Sequence, residues 1–514
     1  MPVTRSNHDH GNRGEPVSSS ADAVTTAGRV QGEALDGVVV FRGVPYAAPP
    51  IGPNRFRPPQ PLEAWDGVRE ALTLPPSCPQ PSQRPPGWPQ EHAQDEDCLH
   101  LNVWTPGVDD GRRPVMVWFH GGGYAIGSGS WPLYDGTNLA RRGDVVVVTV
   151  NHRLGPLGYL HLDGLAGDRL TGDEASVSGN AGMLDLVAAL EWVRDNAVAF
   201  GGDPGNVTIM GESGGGAKVA TLLAMPTAAG LFHRATIQSG PALRVTKPER
   251  ARAAAVELVD ALGAADDPSR LWSASVEEIL AASASTSAGR MGFSPVLDGT
   301  VIPAHPGDAL VRGTANDVPV IVGCNRDESA GTLPAELAEE DLPDRLRSQA
   351  GVAEDHLDDV LTTYRAAHPG ATPLDVLSFV LTDQRMRAGS IQLAEAKAKG
   401  TSTPVWQYFF TYALAGRAGH GYEIAFMFDN LGVGGTPPSA ERQRLADAMC
   451  DAWIAFARTG DPNHDGLAEW PPFVPPERTT MIFGRGASAA VDDPDAATRE
   501  LWERVAVARR ASRR

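Results

Sequence analysis

Cysteine is scarce in this chain: Cys78, Cys98, Cys324 and Cys450 are the only four in 514 residues, and no two form a CxxC pair. A zinc ribbon or thioredoxin-type redox site is therefore not supported. Basic residues are also in deficit, 44 against 63 acidic, for a formal net charge of −19. Such a field repels phosphate backbones and anionic lipid, so neither nucleic acid nor a membrane surface is an expected partner. No apolar run approaches the roughly 18 residues that a spanning helix needs, the longest β-branched run being Val145 to Val150. Internal repeats and long flexible linkers are missing. The segment from Met1 to about Ala21 lacks the apolar core of a secretory signal. The expectation is a cytoplasmic protein with a flexible tail at residues 1–24, one catalytic domain at 25–505 and a short tail at 506–514. His8 and His10 are too few for the usual three or four metal ligands, and no metal is expected.

What is present reads as a folded α/β chain, with 42% apolar, 21% charged and 6% aromatic residues. Two Pro-rich stretches, Ala47 to Pro61 and Pro75 to Pro89, are expected to run extended as surface loops. Beyond them, short β-branched or aromatic runs recur at Val115 to Phe119, Val145 to Val150, Val207 to Met210, Val318 to Val322 and Val405 to Phe410. Near-continuous hydrophobicity fits strands covered on both faces, hence a mostly parallel sheet between helices. Leu186, Leu190 and Val193 form one helical stripe. Leu445, Met449, Trp453 and Phe456 form another, between an N-cap at Ser439 and a stop at Gly460. These stripes, with Trp192 and Trp470, are assigned to the core.

One strand leads somewhere unusual. Val207 to Met210 runs into Gly211-Glu212-Ser213-Gly214-Gly215, the only GxSxG in the chain, and then into a helical pattern. A sharp strand-to-helix turn needs small neighbours and lifts the serine hydroxyl to the carboxyl edge of a sheet. About ninety residues earlier, Val115 to Phe119 ends in His120-Gly121-Gly122-Gly123-Tyr124. Consecutive glycines leave N–H groups open to an oxygen that becomes negative when a carbonyl is attacked, so Gly122 and Gly123, with Gly214, are assigned as an oxyanion hole. A serine hydroxyl also needs a general base and an acid to orient it, in the chain order acid, then histidine. The strand Val318 to Val322 leads to Asp327 and Glu328, and Val405 to Phe410 leads to Gly419-His420-Gly421. Spacing does not choose between Asp327 and Glu328. Of the other histidines after Ser213, namely His233, His305, His356, His368 and His464, none follows a strand after the acid.

Together these residues resemble the type-B carboxylesterase family, α/β-hydrolases that include cholinesterases and bacterial p-nitrobenzyl-type esterases. The likeness spans nearly the whole chain after the tail. It includes Phe41-Arg42-Gly43-Val44-Pro45, Glu96-Asp97-Cys98-Leu99, the HGGGY and GESGG segments, Phe200-Gly201-Gly202-Asp203-Pro204 and Trp453 through Asn463. The resemblance implies the α/β-hydrolase fold, Glu328 as the acid and His420, trailed by Gly421 and Glu423, as the base. It also implies Ser239 near the triad, where Glu212 is a second supporting residue, and ion pairs of Arg55 with Glu96 and Arg153 with Asp185. Cys78 and Cys98 are implied neighbours whose oxidation stays open. Trp88, ten residues before Cys98, is a candidate substrate contact, as an aromatic is in the cholinesterase alcohol pocket. Gly214 stands where many relatives have Ala, Lys218 at a usually small or apolar position, and His152 where Tyr is common. These departures are assigned to substrate preference rather than to the reaction.

The expected activity is hydrolysis of a small-molecule carboxylic ester through an acyl-enzyme, without metal or organic cofactor, by a monomer or weak homodimer. Activity is expected to rise as His420 loses its proton near pH 6.5. The alternatives are an amide, aryl-carbamate or toxin-ester hydrolase using the same residues, and a catalytically silent binding module of the same fold.

Overall fold

The computed structural model describes residues 20–81, 93–170, 173–289, 291–433 and 437–511. Thirteen strands among the described residues form one sheet. They are β1 (Ser20–Val24), β2 (Arg29–Leu35), β3 (Val38–Pro45), β4 (Val68–Glu70), β5 (His100–Thr105), β6 (Arg113–Phe119) and β7 (Val146–Val150). The others are β8 (Gly202–Glu212), β9 (Arg234–Gln238), β10 (Val320–Asn325), β11 (Val405–Phe410), β12 (Thr480–Phe483) and β13 (Ala489–Val491). Their order is β1-β2-β3-β5-β7-β6-β8-β9-β10-β11-β12-β13, with β4 paired to β2. All pairs from β7 through β12 are parallel. The antiparallel pairs lie toward the two edges.

Among the helices of the described residues, α1 (Ala181–Asn196), α2 (Gly214–Leu223) and α4 (Ala440–Thr459) pack on this sheet, α3 (Pro373–Thr382) ends beside its carboxyl edge, and α5 (Ala496–Ala511) packs on other helices. Alternation along the strands explains the apolar runs. Val115, Val117 and Phe119 of β6 pack with Leu186, Leu190 and Val193 of α1 on one face. Met116 and Trp118 point to the other, against Met449, Trp453 and Phe456 of α4. With both faces covered, no position in such a strand has a reason to be polar. The ends of α4 are as expected: Ser439 Oγ accepts the Arg442 N–H at 3.2 Å, and Gly460 takes a left-handed φ of 85°. Val376, Leu377, Val380 and Leu381 of α3 join Leu501, Trp502 and Val505 of α5 in a third, mostly helical cluster.

Both chain ends depart from the expected boundaries. Residues 1–19 lie outside the described residues, and with them His8 and His10, but Ser20–Val24 is already a strand, paired antiparallel with β2. An edge strand mixing Ser, Ala and Asp carries little apolar signal, so the sequence pattern extends the tail through residue 24. At the other end α5 continues past residue 505 to Ala511, where the sequence Ala508-Arg509-Arg510-Ala511 carries little apolar signal.

The implied ion pairs are both present. Arg55 meets Glu96 through two nitrogens and also donates to the carbonyls of Leu271, Trp272 and Ala274. Arg153 clamps Asp185 at 2.6 and 2.8 Å, with both side chains buried, and its remaining nitrogen reaches the Arg57 carbonyl at 2.7 Å. Cys78 and Cys98 are buried neighbours, as implied. Replacing Asp185 with Ala strands a buried guanidinium and should cost about 3–5 kcal/mol, seen as an earlier urea unfolding transition; an unchanged transition would show that the pair carries no such weight.

Candidate active site

β8 ends at Glu212, α2 begins at Gly214, and Ser213 is the hinge between them. Its backbone sits at φ 56°, ψ −122°, a conformation that costs a non-glycine residue about 1–3 kcal/mol. The turn is tight enough that a Cβ on Gly215 would lie 2.0 Å from the Phe119 carbonyl oxygen, so the small residue of the motif is a packing requirement. Strain at the turn aims the Ser213 hydroxyl over the carboxyl edge of the sheet.

The loops after β10 and β11 meet it there. Ser213 Oγ lies 2.8 Å from His420 Nε2, and His420 Nδ1 is hydrogen-bonded to Glu328 Oε2. The other Glu328 oxygen accepts from Ser239 Oγ at 2.6 Å and from the Asn325 N–H at 2.7 Å. The Glu328 N–H in turn donates to Thr382 Oγ1, at the end of α3, at 3.0 Å. Asn325 also ties the two loops together, donating to the Gly419 carbonyl at 2.7 Å and to Glu423 at 2.6 Å. These contacts decide between the two adjacent acids. Asp327 is buried facing away from His420, accepting the Ala418 N–H at 2.8 Å and paired with Arg326 and Arg417. It fastens the histidine loop while Glu328 meets the ring. Of the rejected histidines, His233 and His305 accept main-chain N–H bonds and His464 bonds the Ala448 carbonyl.

Three buried carboxyl groups face one imidazole. Glu212 Oε1 stands 3.2 Å from His420 Nε2. Burial lifts the Glu212 carboxyl to about 8, against the pull of His420, with Glu423 and Glu328 adding to the rise. Burial and Glu328 likewise raise Glu423 to about 7, opposed by the hydrogen bond from Asn325. For His420, burial pushes downward, but Glu212 and Glu328, the latter also as hydrogen-bond partner, outweigh it and hold the imidazole well above its ordinary value. The titration expected near 6.5 is thus displaced upward, because the sequence does not show how many carboxylates converge on the ring.

Gly122 and Gly123 take positive φ values of 89° and 65°. The turn is closed by the Ala125 and Ile126 N–H groups donating to the Gly122 carbonyl, which uses none of the three N–H groups assigned to the cradle. Gly214 abuts this turn, for a Cβ there would lie 2.4 Å from the Gly123 nitrogen. All three assigned glycines are therefore gathered beside Ser213, with the exposed Met291 against Gly123 at the rim. Trp88 lies outside the described residues. Sequence reading missed Asn325, Thr382 and Gln238, which donates to Glu423 at 3.3 Å. A polar residue ending an otherwise apolar strand was the one signal available, and it applied to Asn325 and Gln238 alone. Among the described residues no cluster of three or more His, Cys, Asp or Glu side chains could hold a metal ion, and no helix is long and apolar enough to cross a membrane.

Comparison with known proteins gives a consistent picture. Residues 19–502 match the model of the carboxylesterase family. Para-nitrobenzyl esterase of Bacillus subtilis (strain 168) is 35% identical, covering 93% of this chain and 97% of the relative. Phenmedipham hydrolase of Pseudarthrobacter oxydans is 38% identical over 91% of this chain and 96% of its own. Among solved structures, a Geobacillus stearothermophilus carboxylesterase superposes with a TM-score of 0.83 at 40% identity, covering 94% of this chain and 99% of that one.

In the free protein, His420 should titrate above the usual histidine value of about 6.5, as read by NMR of ¹⁵N-histidine-labelled protein. A carboxylate beside the ring favours imidazolium, so Glu212→Gln should move the midpoint down. A midpoint that stays put or rises would contradict this electrostatic account.

Proposed function

The chain belongs to the carboxylesterase family, has the α/β-hydrolase fold and hydrolyses carboxylic esters; from that premise we propose that it does so through an acyl-enzyme formed on Ser213. The observation that carries this is the hydrogen-bonded line from Ser213 through His420 to Glu328, lying beside the glycine turn. Ser213 Oγ attacks the ester carbonyl while His420 Nε2 takes its proton. Glu328 holds Nδ1–H, fixing the tautomer and stabilising the imidazolium that forms. Negative charge on the former carbonyl oxygen is received by the N–H groups of Gly122, Gly123 and Gly214, donors already oriented and needing no solvent reorganisation. Imidazolium protonates the departing alcohol. Water, deprotonated by the same ring, then attacks the acyl-serine and releases the acid.

Glu212 and Ser239 support this line in different ways. Ser239 fills one acceptor site of Glu328, leaving the other oxygen for His420. Glu212, raised by burial, holds negative charge or a proton next to Nε2 according to pH and so biases the ring's charge state. The proposed setting is cytoplasmic, where the buried neighbours Cys78 and Cys98 would stand as thiols. The proposed partner is a small-molecule ester, and the net charge of −19 favours neither nucleic acid nor anionic lipid.

Ser213→Ala should lower p-nitrophenyl acetate turnover by at least about 10⁴-fold with folding intact, since a nucleophile that acts as one unit with its base takes the whole covalent route with it. Wild-type-like turnover in the folded variant would refute the assignment. Matched ester, carbamate and anilide substrates assayed side by side on the parent enzyme should rank the ester first.

A further inference from the structure

Lys218 lies on α2, five residues after Ser213, and is fully buried. An apolar residue would pack this helix at no electrostatic cost, whereas burying an amine without partners is expensive. Its partners are specific. Nζ donates to the carbonyl oxygens of Gly123, at 2.8 Å, and His120, at 3.1 Å, and lies 5.3 Å from the centre of the Tyr124 ring. The His120 carbonyl belongs to the peptide joining residues 120 and 121, and the Gly123 carbonyl to the peptide joining 123 and 124. Between them stand just two peptides, the ones presenting the Gly122 and Gly123 N–H groups. One amine therefore holds both ends of the arc that forms the cradle.

Gly214, at the start of the same helix, lies against the same carbonyl. A Cβ at position 214 would lie 2.2 Å from the Gly123 oxygen, an overlap with main chain that no rotamer change relieves. Lys218 draws the Gly123 carbonyl toward α2, and the bare Cα of Gly214 gives it room to come. We propose that Lys218 is a positioning residue for the reaction, a clamp that together with Gly214 fixes the glycine turn in the orientation that receives the transition-state oxyanion. The proposal rests on the reading of Gly122, Gly123 and Gly214 as that cradle. Burial lowers the Lys218 amine to about 7, with Glu212 pulling it up. A neutral amine keeps two N–H donors, enough for both carbonyls, so the clamp does not depend on its charge.

The test compares Lys218→Met, Gly214→Ala, the double variant and Ser213→Ala in p-nitrophenyl acetate turnover and in affinity for a trifluoromethyl ketone, which forms an oxyanionic adduct on a serine. Lys218→Met should lower kcat by about 10- to 100-fold, as a displacement of about 1 Å in a reacting geometry does. KM should stay within about threefold and ketone affinity should fall with kcat, because an oxyanion contact exists only in the transition state. Lys218→Gln, about one bond too short to span both carbonyls, carries the same expectation and serves if the methionine variant fails to fold. Gly214→Ala should be costly alone yet add little to a Lys218 variant, whose Gly123 carbonyl is free to retreat. Wild-type kcat and ketone affinity in a folded Lys218 variant, or losses that multiply in the double variant, would overturn the clamp. Turnover surviving in Ser213→Ala would instead overturn the underlying reading.

Discussion

Register in the parallel core sets Phe119 opposite Gly211, Glu212 opposite Gln238, Gln238 opposite Gly323 and Asn325 opposite Phe410. Strands β6, β8, β9, β10 and β11 consequently reach one edge together, and the segment leaving each of them there is a part of the site: the glycine turn, Ser213, Ser239, Glu328 and the loop to His420. Residues up to about 300 positions apart need no long-range guidance beyond this pairing. A slip of one residue in any pair would move a strand end by about 3.3 Å and turn its side chains to the wrong face. The 2.8 Å contact between Ser213 and His420 would not survive it. Apolar burial on both faces makes the correct register the low-energy one, so the machinery depends on the core for its alignment.

That alignment concentrates acid where the chain has least water. Glu212, Glu328 and Glu423 are all buried around one ring, and burying a carboxylate is costly unless donors or counter-charge compensate. Each is compensated differently. Glu328 receives Ser239, the Asn325 N–H and His420. Glu423 receives Asn325 and Gln238. Glu212 has His420 as its charge partner and is lifted toward the neutral form. Burial pushes Glu212 and Glu423 toward their neutral forms, which limits the like charge that shares the pocket, while Glu328, the acid with the most donors, is the one that meets Nδ1 of the ring.

Legibility in the sequence tracks the range of the interactions concerned. Strands β6, β7 and β11 are readable because two-sided burial writes an unbroken apolar run, whereas β1, an edge strand, leaves no such mark. Ser213 and the Gly121 to Gly123 turn are readable because backbone crowding restricts their neighbours to small residues. His420 is found from chain order and its flanking glycines. Choosing Glu328 over Asp327 needs either the family resemblance or the coordinates, since adjacent acids at a loop differ only in which partners fold against them. Asp327 is occupied by Ala418 and two arginines, a fact no local pattern encodes. Thr382 comes from a helix 54 residues away from its partner Glu328 and has no local signature at all. Lys218 is conspicuous as an unexpected residue, but its assignment to substrate preference does not fit its contacts, which face the main chain of the glycine turn.

Preorganisation connects these observations. Ser213 is held at a strained φ, Ser239 likewise at 47°, and two of the turn glycines are left-handed. Each of these conformations would relax if its surroundings yielded. They do not yield because the strained residues sit directly on strand ends whose ladders, and whose packing on both faces, would have to break first. A donor already pointing at the place where charge develops spends nothing on turning when the reaction occurs, which is where electrostatic catalysis differs most from reaction in water. Rigid sheet edge, strained elbow and tethered glycine turn thus act as one support for the reacting atoms.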